Sequence, residues 1–378
     1  LSVATDPQGR WVLGVVGKRT YSVEHGVLVP AEQQLALVEV PLLARDGLLL
    51  VHDCDLVLRR AQCDVMLAGH VYPYDGDRHS WLTLRVGSLF RRIAVFGDRR
   101  VALDALGRPV FSSPEPFERI PLGWEHAYGG YDAAALEAYG DPSDDLRREA
   151  GMPLTPETGF YAYPRNPVGR GYLVELSPAG VARCMLPNLE DPEHLLTPDT
   201  LVYGNSLGWP EGPPPAGTGW MPHAFFPRMT LLGLPPPAYD DERFPPESFW
   251  EVRMGLLPAR SLDPTTHVAA LFDLRGAQSS APGMRVDTLL PGDPVELTHA
   301  HPRQARWTFA LPPQPPRMVY RLPGGDPQPL IPQMRTVVLE PDLDRVSIVW
   351  VAEAPLSLLP TPEQLDATQH AVLWEPPP

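Results

Sequence analysis

The run TVVLEPDLDRVSIVWVAEA, residues 336–354, reads as two β-strands joined by a tight turn. In its second half Val346, Ile348 and Trp350 alternate with Ser347 and Val349, the period of a strand with one buried face. Pro341-Asp342-Leu343-Asp344 supplies the turn, so the stretch predicts an antiparallel hairpin. The neighbouring C-terminal runs agree. Asp293-Pro294-Val295-Glu296-Leu297-Thr298 is followed by RWTFALP, where Trp307, Phe309 and Leu311 share one face, and then by MVYRL. Beyond Pro355 the chain is rich in proline and reads as a tail or a strap over a sheet edge.

The first third repeats this pattern. WVLGVVGKRTYSV, LALVEVPLL, DVMLAGHVY, WLTLRVGSLFRRIAVF and RRVALD follow one another at short spacing. Leu82, Leu84 and Val86 alternate with Thr83 and Arg85, and Phe96-Gly97-Asp98-Arg99 forms a turn. Residues 10–112 therefore read as an antiparallel sandwich or barrel-like sheet. Three regions are expected: an N-terminal β region over 1–113, a loop-rich region over 114–246, and a C-terminal β region with a Pro-rich tail over 247–378. The fold class is mainly β, with sandwich-like antiparallel sheets at both ends of the chain, a Pro/Gly-rich middle and few short helices.

Composition narrows the function. With 49 prolines and 31 glycines in 378 residues, a helical bundle or solenoid is excluded. The net charge of −15 argues against nucleic acid, which needs a basic footprint, and against an anionic membrane surface. The opening LSVATDPQGRWVLGVVGKRT has no long apolar run and no basic lead, and no uncharged apolar stretch approaches the roughly 20 residues of a membrane span. Cys54, Cys63 and Cys184 form no Cys-x-x-Cys pattern; an odd number of thiols suits a reduced, cytoplasmic setting, although Cys54 and Cys63 could meet across a hairpin. Lys18 is the only lysine among the basic residues and is singled out for that reason.

In the middle region Asp132 is placed to cap a helix over Ala133–Tyr139 that stops at Gly140, and Pro192 to start a single turn after Asp191. The remainder is glycine, proline and aromatics. Its tryptophans and tyrosines favour ordered loops over disorder.

Catalytic motifs are absent: there is no Gly-x-Ser-x-Gly elbow, phosphate loop or His-Glu-x-x-His. Gly169-Arg170-Gly171 lacks the third glycine and the helix of a dinucleotide site. His299 and His301 would share one face of a strand, but a polar turn before Pro302 is favoured over a metal site. His52, Asp53 and Asp55 read as a strand end or turn, and Asp141, Asp144 and Asp145 as a solvated loop without calcium-loop spacing. No metal, cofactor or catalytic residue is expected.

The specific strings lie in the middle: Phe117-Glu118-Arg119-Ile120-Pro121-Leu122, Trp124-Glu125-His126-Ala127-Tyr128-Gly129-Gly130-Tyr131-Asp132, Asn166-Pro167-Val168-Gly169-Arg170-Gly171-Tyr172 and Leu186-Pro187-Asn188-Leu189-Glu190-Asp191-Pro192. Proline locks φ next to glycines free to take φ > 0, which pre-sets a loop. The bland reading makes these strings folding devices that plug the sheet ends. The functional one makes them a rigid, aromatic-rich recognition surface built from Tyr128, Gly129, Gly130, Tyr131, Asn166, Pro167, Gly169, Arg170, Gly171, Asn188 and Glu190. Arg170 in particular either presents its fork to a partner or ties the loop to the sheet.

In order and spacing these strings resemble a bacterial family of unknown-function domains encoded beside type VI secretion effectors. Lys18-Arg19-Thr20-Tyr21, Asp64-Val65 with Gly69, Val86-Gly87, Val95-Phe96-Gly97-Asp98-Arg99, Gly292 to Leu297, Phe309 to Pro312 and the hairpin ending Val349-Trp350 extend the resemblance over nearly the whole chain. It implies a non-catalytic cytoplasmic adaptor or chaperone that binds an effector's PAAR or PAAR-like region and helps load it onto the VgrG spike. Two alternatives stay open: a β-rich hydrolase using carboxylates such as Glu118, Glu125 and Glu190, and a structural component of a contractile injection particle. Gly217-Thr218-Gly219-Trp220-Met221-Pro222 and Phe226-Pro227-Arg228 stand where relatives carry Gly-Phe-Gly-Pro and Trp-x-Pro-Arg. The family's Gly-Thr-Tyr-Asp and Ala-Pro-x-Asp-Gln runs are missing, with Leu232-Gly233-Leu234 and Leu257-Pro258-Ala259-Arg260 in their places, which implies a different class of cargo.

Overall fold

Trp11–Glu24 and Arg345–Leu356 pair antiparallel over most of their lengths, from Trp11 opposite Leu356 to Ser22 opposite Arg345. Arg345–Leu356 pairs in turn with Gln333–Glu340 through the expected hairpin. Its turn is a short 3-10 segment, Pro341–Leu343, closed by Asp344 at φ 47°. His70 Nδ1 at 2.6 Å and the Tyr72 hydroxyl at 2.9 Å hold Asp342. The computed structural model describes residues 1–5, 10–45, 47–58, 60–73, 76–149, 154–202, 206–226, 228 and 278–374. Pro227, Leu232 to Leu234, Leu257 to Arg260 and the expected boundary at residue 246 lie outside the described residues.

The molecule is mainly β, with several antiparallel sheets and short helices. A seven-stranded sheet runs in the order Ser2–Thr5, Trp11–Glu24, Arg345–Leu356, Gln333–Glu340, Cys63–Leu67, Arg285–Val286, with Val27–Pro30 also on Trp11–Glu24. Gln333–Glu340 and Cys63–Leu67 run parallel; the other pairs of this sheet are antiparallel. A five-stranded sheet runs Leu189–Glu190, Leu89–Phe96, His79–Val86, Pro294–Thr298, Arg306–Ala310. Strands from both ends of the chain share each sheet. One continuous apolar core joins the inward faces: Val15, Val65, Val337, Ile348 and Trp350 from the first, and Leu82, Leu84, Ile93, Leu297 and Trp307 from the second.

The central strands are buried on both faces. Val349 and Val351 pack with Val16 and Leu58 on the side away from the main core, so the residues that alternate with Ile348 and Trp350 are not solvated. The Pro-rich end is a strap with structure of its own: Gln369–Leu373 pairs with Arg317–Arg321 in a three-stranded sheet. This sheet lies against Gly17, where a Cβ would meet Val372 Cγ1 at 2.8 Å. LALVEVPLL departs from the strand reading. Only Leu42–Leu43 joins a ladder, while Asp55 anchors the segment through Val38 N (2.8 Å) and through Val38 O (2.7 Å).

His52 ends the strand Leu50–His52 and Asp55 lies in the turn that follows, as expected, but the Asp53 and Asp55 side chains are buried. Lys18 donates to Asp55 Oδ2 at 2.9 Å and lies 3.2 Å from His52 Nε2. His52 Nδ1 faces the Asp53 carbonyl at 2.6 Å, and its ring stacks on Trp220 with centroids 4.4 Å apart. Burial pushes the His52 pKa below the ordinary imidazole value. Asp53 accepts from Arg228 and from Ser279 Oγ at 2.6 Å, and His223 lies 3.4 Å away. Burial alone would raise its pKa, but these partners hold the carboxyl well below the usual range. Arg60 pairs with Asp64 at 2.9 Å, and Asp64 also accepts from Ser279 N and Ser280 Oγ. Buried charges persist only where paired and hydrogen-bonded, and each of these acids has such partners.

Two further expectations change. Asp144 and Asp145 open a short helix, Asp144–Glu149, in which Arg147 engages Asp141 and Asp144 while Arg148 pairs with Asp145. Asp144 and Asp145 meet arginines at helical spacing, so the segment is a short helix and not a loop, while the Asp145 side chain stays 91% exposed. All three cysteines are free, so Cys54 and Cys63 do not pair.

Candidate functional site

The three central strings are laid side by side. Tyr128–Gly129 pairs in parallel with Arg170–Gly171. Arg170 N donates to Ala127 O at 3.1 Å and Tyr172 N to Gly129 O at 3.0 Å. Asn188 N donates to His126 O at 2.9 Å, and Leu189–Glu190 continues onto Leu89–Phe96. The strings thus extend the five-stranded sheet sideways.

Glycine is required where these backbones meet. Gly129 has φ 147° and Gly130 φ 94°; a Cβ there would lie 2.0 Å from Asn166 O and 2.5 Å from Gly169 O. No side chain fits without moving backbone. Asn166, fully buried, completes the knot: its Nδ2 donates to Trp124 O at 2.7 Å and to Tyr128 O at 3.1 Å, and its carbonyl accepts from Gly130 N at 2.8 Å.

Asn188 is equally internal. It donates to Phe96 O and Asp98 Oδ1, both at 3.0 Å, and its Oδ1 lies 2.8 Å from His126 Nδ1. Asn188 Oδ1 can only accept, so His126 donates Nδ1–H to it, and burial lowers the His126 pKa. Glu190 accepts from Arg99 and from Leu196 N at 2.7 Å; burial raises its pKa and Arg99 opposes the rise. Tyr128 packs edge-on against Tyr163, centroids 5.0 Å apart, in a second apolar cluster with Tyr172, Leu186 and Trp209. The run Gly217 to Trp220 closes the back: a Cβ on Gly217 would strike the Trp124 indole at 2.7 Å, and Trp124 Nε1 donates to Trp220 O at 2.9 Å.

In front of this knot lies a cavity of about 430 Å³. Gly129, Gly130, Tyr131, Pro167, Gly169, Arg170 and Gly171 line it, whereas Tyr128, Asn166, Asn188 and Glu190 stand behind as packing and struts. Arg170 does both: its Nε donates to Glu125 O at 2.9 Å and its Nη1 lies 3.7 Å from Asp98, yet it remains on the cavity wall. Burial lowers its pKa, opposed by Asp98 and Glu125.

The opposite wall is legible in the sequence only through Asp132 and its helix. It comes from the helix Pro178–Arg183 with Cys184 and Met185, and from Asp132 at the start of Ala133–Tyr139. Ser177-Pro178 was its available signal: Ser177 Oγ accepts from Gly180 N at 3.0 Å. Asp132 caps its helix as expected, accepting from Ala134 N and Ala135 N, and Gly140 ends it at φ 68°. Asp191-Pro192 forms a turn, with His194 N donating to Asp191 O at 3.0 Å.

The walls offer glycine backbone, two guanidinium groups (Arg170, Arg183) and the Glu157 carboxylate, while the buried Asp132 carboxylate is spent on the Ala134, Ala135 and Val174 N–H groups. Such a lining suits polar backbone and mixed side chains of a polypeptide. Of the carboxylates considered for hydrolysis, Glu190 is tied to Arg99, while Glu118 and Glu125 are exposed. His299 lies 2.7 Å from Ser80 Oγ, whereas His301 lies 2.7 Å from Asp344, so the two rings meet different side chains. Among the described residues, Asp191, Glu193 and His194 bring ligand atoms within 4.8 Å of one another, but Asp191 already faces Arg91 at 3.2 Å.

No helix among the described residues is long and apolar enough to cross a membrane. No curated protein and no solved structure matches the chain. A family model described as an uncharacterized protein conserved in bacteria, DUF2169, matches residues 8–351, a span that takes in the five-stranded sheet, most of the seven-stranded sheet, the knot and the cavity. The chain belongs to this family of conserved bacterial proteins.

Proposed function

We propose that the protein is a non-catalytic cytoplasmic adaptor that binds a type VI secretion effector through its PAAR or PAAR-like region and helps load it onto the VgrG spike. The observation that carries this reading is convergence. Strings scattered over residues 128–171 meet at one cavity whose walls are pre-set backbone held by glycine contacts and the Asn166 amide. A site already ordered loses little conformational entropy on taking up a polypeptide segment. Its exposed glycine backbone and charged side chains can meet the main chain and polar side chains of a peptide.

The test is co-purification of the tagged protein with a PAAR-containing effector from the same gene neighbourhood, with and without VgrG. Arg183 is exposed on the cavity wall and paired with Glu137 at 2.7 Å, and Tyr131 is half-buried there. Tyr131→Ala and Arg183→Glu should lose the effector while the unfolding free energy changes by about 1 kcal/mol or less. Retention of the effector by both variants, or no capture by the unaltered protein, would remove the cavity from this role.

A further inference from the structure

The outward face of the five-stranded sheet carries a second, independent feature. Along His79–Val86, Leu82, Leu84 and Val86 point into the core while Trp81, Thr83 and Arg85 point out. On Leu89–Phe96, Phe90 and Arg92 point out. Strand register aligns these residues in two rows: Phe90, Arg85, Glu296, Thr308 in one, and Arg92, Thr83, Thr298, Arg306 in the next. At about 4.8 Å per strand each row spans roughly 14 Å.

Two aromatics are exposed on this face, Trp81 at 36% and Phe90 at 53%. Each carries a guanidinium: Arg92 lies 3.8 Å from the Trp81 ring centre and Arg85 5.1 Å from that of Phe90. Arg306 pairs with Glu296 at 2.5 Å. Among the described residues, neither Arg85 nor Arg92 has a carboxylate within ion-pair distance, in a chain with 46 acidic side chains against 31 basic ones. A guanidinium laid on a ring has lost much of its rotamer freedom already, while its N–H edges stay available for a carboxylate. Three arginines against one glutamate make this face locally positive on an acidic protein.

We propose that this sheet face docks an acidic segment of a partner protein, its carboxylates on Arg85 and Arg92 and its apolar groups on Trp81 and Phe90. The site is separate from the cavity at the glycine knot and does not depend on the adaptor reading. Charge complementarity selects the occupant. A nucleic acid would find only two open guanidiniums, too few for the phosphate neutralisation that drives its binding, within a molecule of net charge −15.

Fluorescence anisotropy at low ionic strength tests this with a short fluorescein-labelled peptide alternating glutamate and tyrosine. The unaltered protein should bind it, and added salt should weaken binding. Arg85→Glu with Arg92→Glu should reduce affinity about tenfold or more, since each exposed ion pair contributes up to about fivefold and reversal adds repulsion. Trp81→Ala with Phe90→Ala should weaken binding even where salt has screened the charges. All four residues are solvent-exposed, and circular dichroism confirms folding of the variants. The proposal is overturned by absence of peptide binding, by affinity unchanged on charge reversal, or by tighter binding of a thymidine oligonucleotide than of the peptide. Sedimentation showing an oligomer of the unaltered protein that the charge reversal dissolves would assign the face to a second copy and also overturn it.

Discussion

Replacing Asn166 by alanine separates strut from contact at the glycine knot. The amide donates to Trp124 O at 2.7 Å and Tyr128 O at 3.1 Å, and each bond contributes about 1 kcal/mol net. Trp124 O keeps the Ala127 N–H at 3.2 Å, which limits its loss. Asn166 Oδ1 is itself buried without a hydrogen-bond partner among the described residues, so removing it returns part of the cost. Adding about 1 kcal/mol for the void and allowing for these two offsets gives a net destabilisation of roughly 2–3 kcal/mol. Urea unfolding followed by tryptophan fluorescence reports it directly; with a slope of about 3 kcal/mol per M, the midpoint falls by about 1 M. Asn166→Asp should fall further at neutral pH, because a carboxylate would face two carbonyl oxygens, and should recover in acid as the group protonates and donates once more. In both variants, effector capture should be normal at urea-free conditions where the protein is folded. An alanine variant with an unchanged midpoint that no longer captures the effector would refute the strut assignment and make Asn166 a contact residue.

Four other outcomes are expected. Gly130→Ala forces a Cβ to 2.5 Å from Gly169 O at φ 94°, and should cost about 2–5 kcal/mol in the same urea assay. Stability should fall as pH drops below about 6.5, because buried His52 and His126 have lowered pKa values and the unfolded chain takes up those protons first; the loss ends once pH passes below the folded-state values, and His52→Asn with His126→Asn should flatten the profile. Lys18→Met leaves Asp55 without its ammonium and should destabilise by about 3–5 kcal/mol in thermal unfolding, with partial recovery on adding Asp55→Asn. A thiol reagent should label half-exposed Cys54 first, whereas Cys184, whose pKa burial pushes up to about 12, and buried Cys63 should react only after unfolding.

Local signals were legible where one physical cause dominated. The alternation at 82–86 matches one buried face of a sheet, and Asp132 and Gly140 bracket their helix because cap and stop are local hydrogen-bond devices. The strands at 11–24 and 345–356 were found, but not their two-sided burial, because a second layer over Val349 depends on Leu58 and Leu37, distant in sequence. At the site, the glycine and proline chemistry announced a pre-set loop. Which side chains would face outward did not follow from it: Asn166 and Asn188 have polar character either way, and only the packing shows their amides spent on backbone carbonyls. Asp53 and Asp55 read as a strand end or turn and Asp64 as part of a strand; that all three are buried and paired did not follow, since their partners Arg228, Lys18 and Arg60 are set by tertiary structure.

The pairing of Trp11–Glu24 with Arg345–Leu356 has a consequence for biosynthesis. The first strand leaves the ribosome more than 320 residues before its partner exists, as the register Trp11 opposite Leu356 shows. At about 5–20 residues per second, a hydrophobic edge stays unmated for roughly 16–70 s. During that interval the nascent chain exposes Val12, Leu13, Val15 and Val16 to any passing strand. Closure of the central sheet therefore waits for the C-terminal hairpin to emerge, and premature termination anywhere before it yields a chain that cannot complete its core. Holdase chaperones that cover the first strand should raise the yield of folded protein more than faster translation of the middle region would.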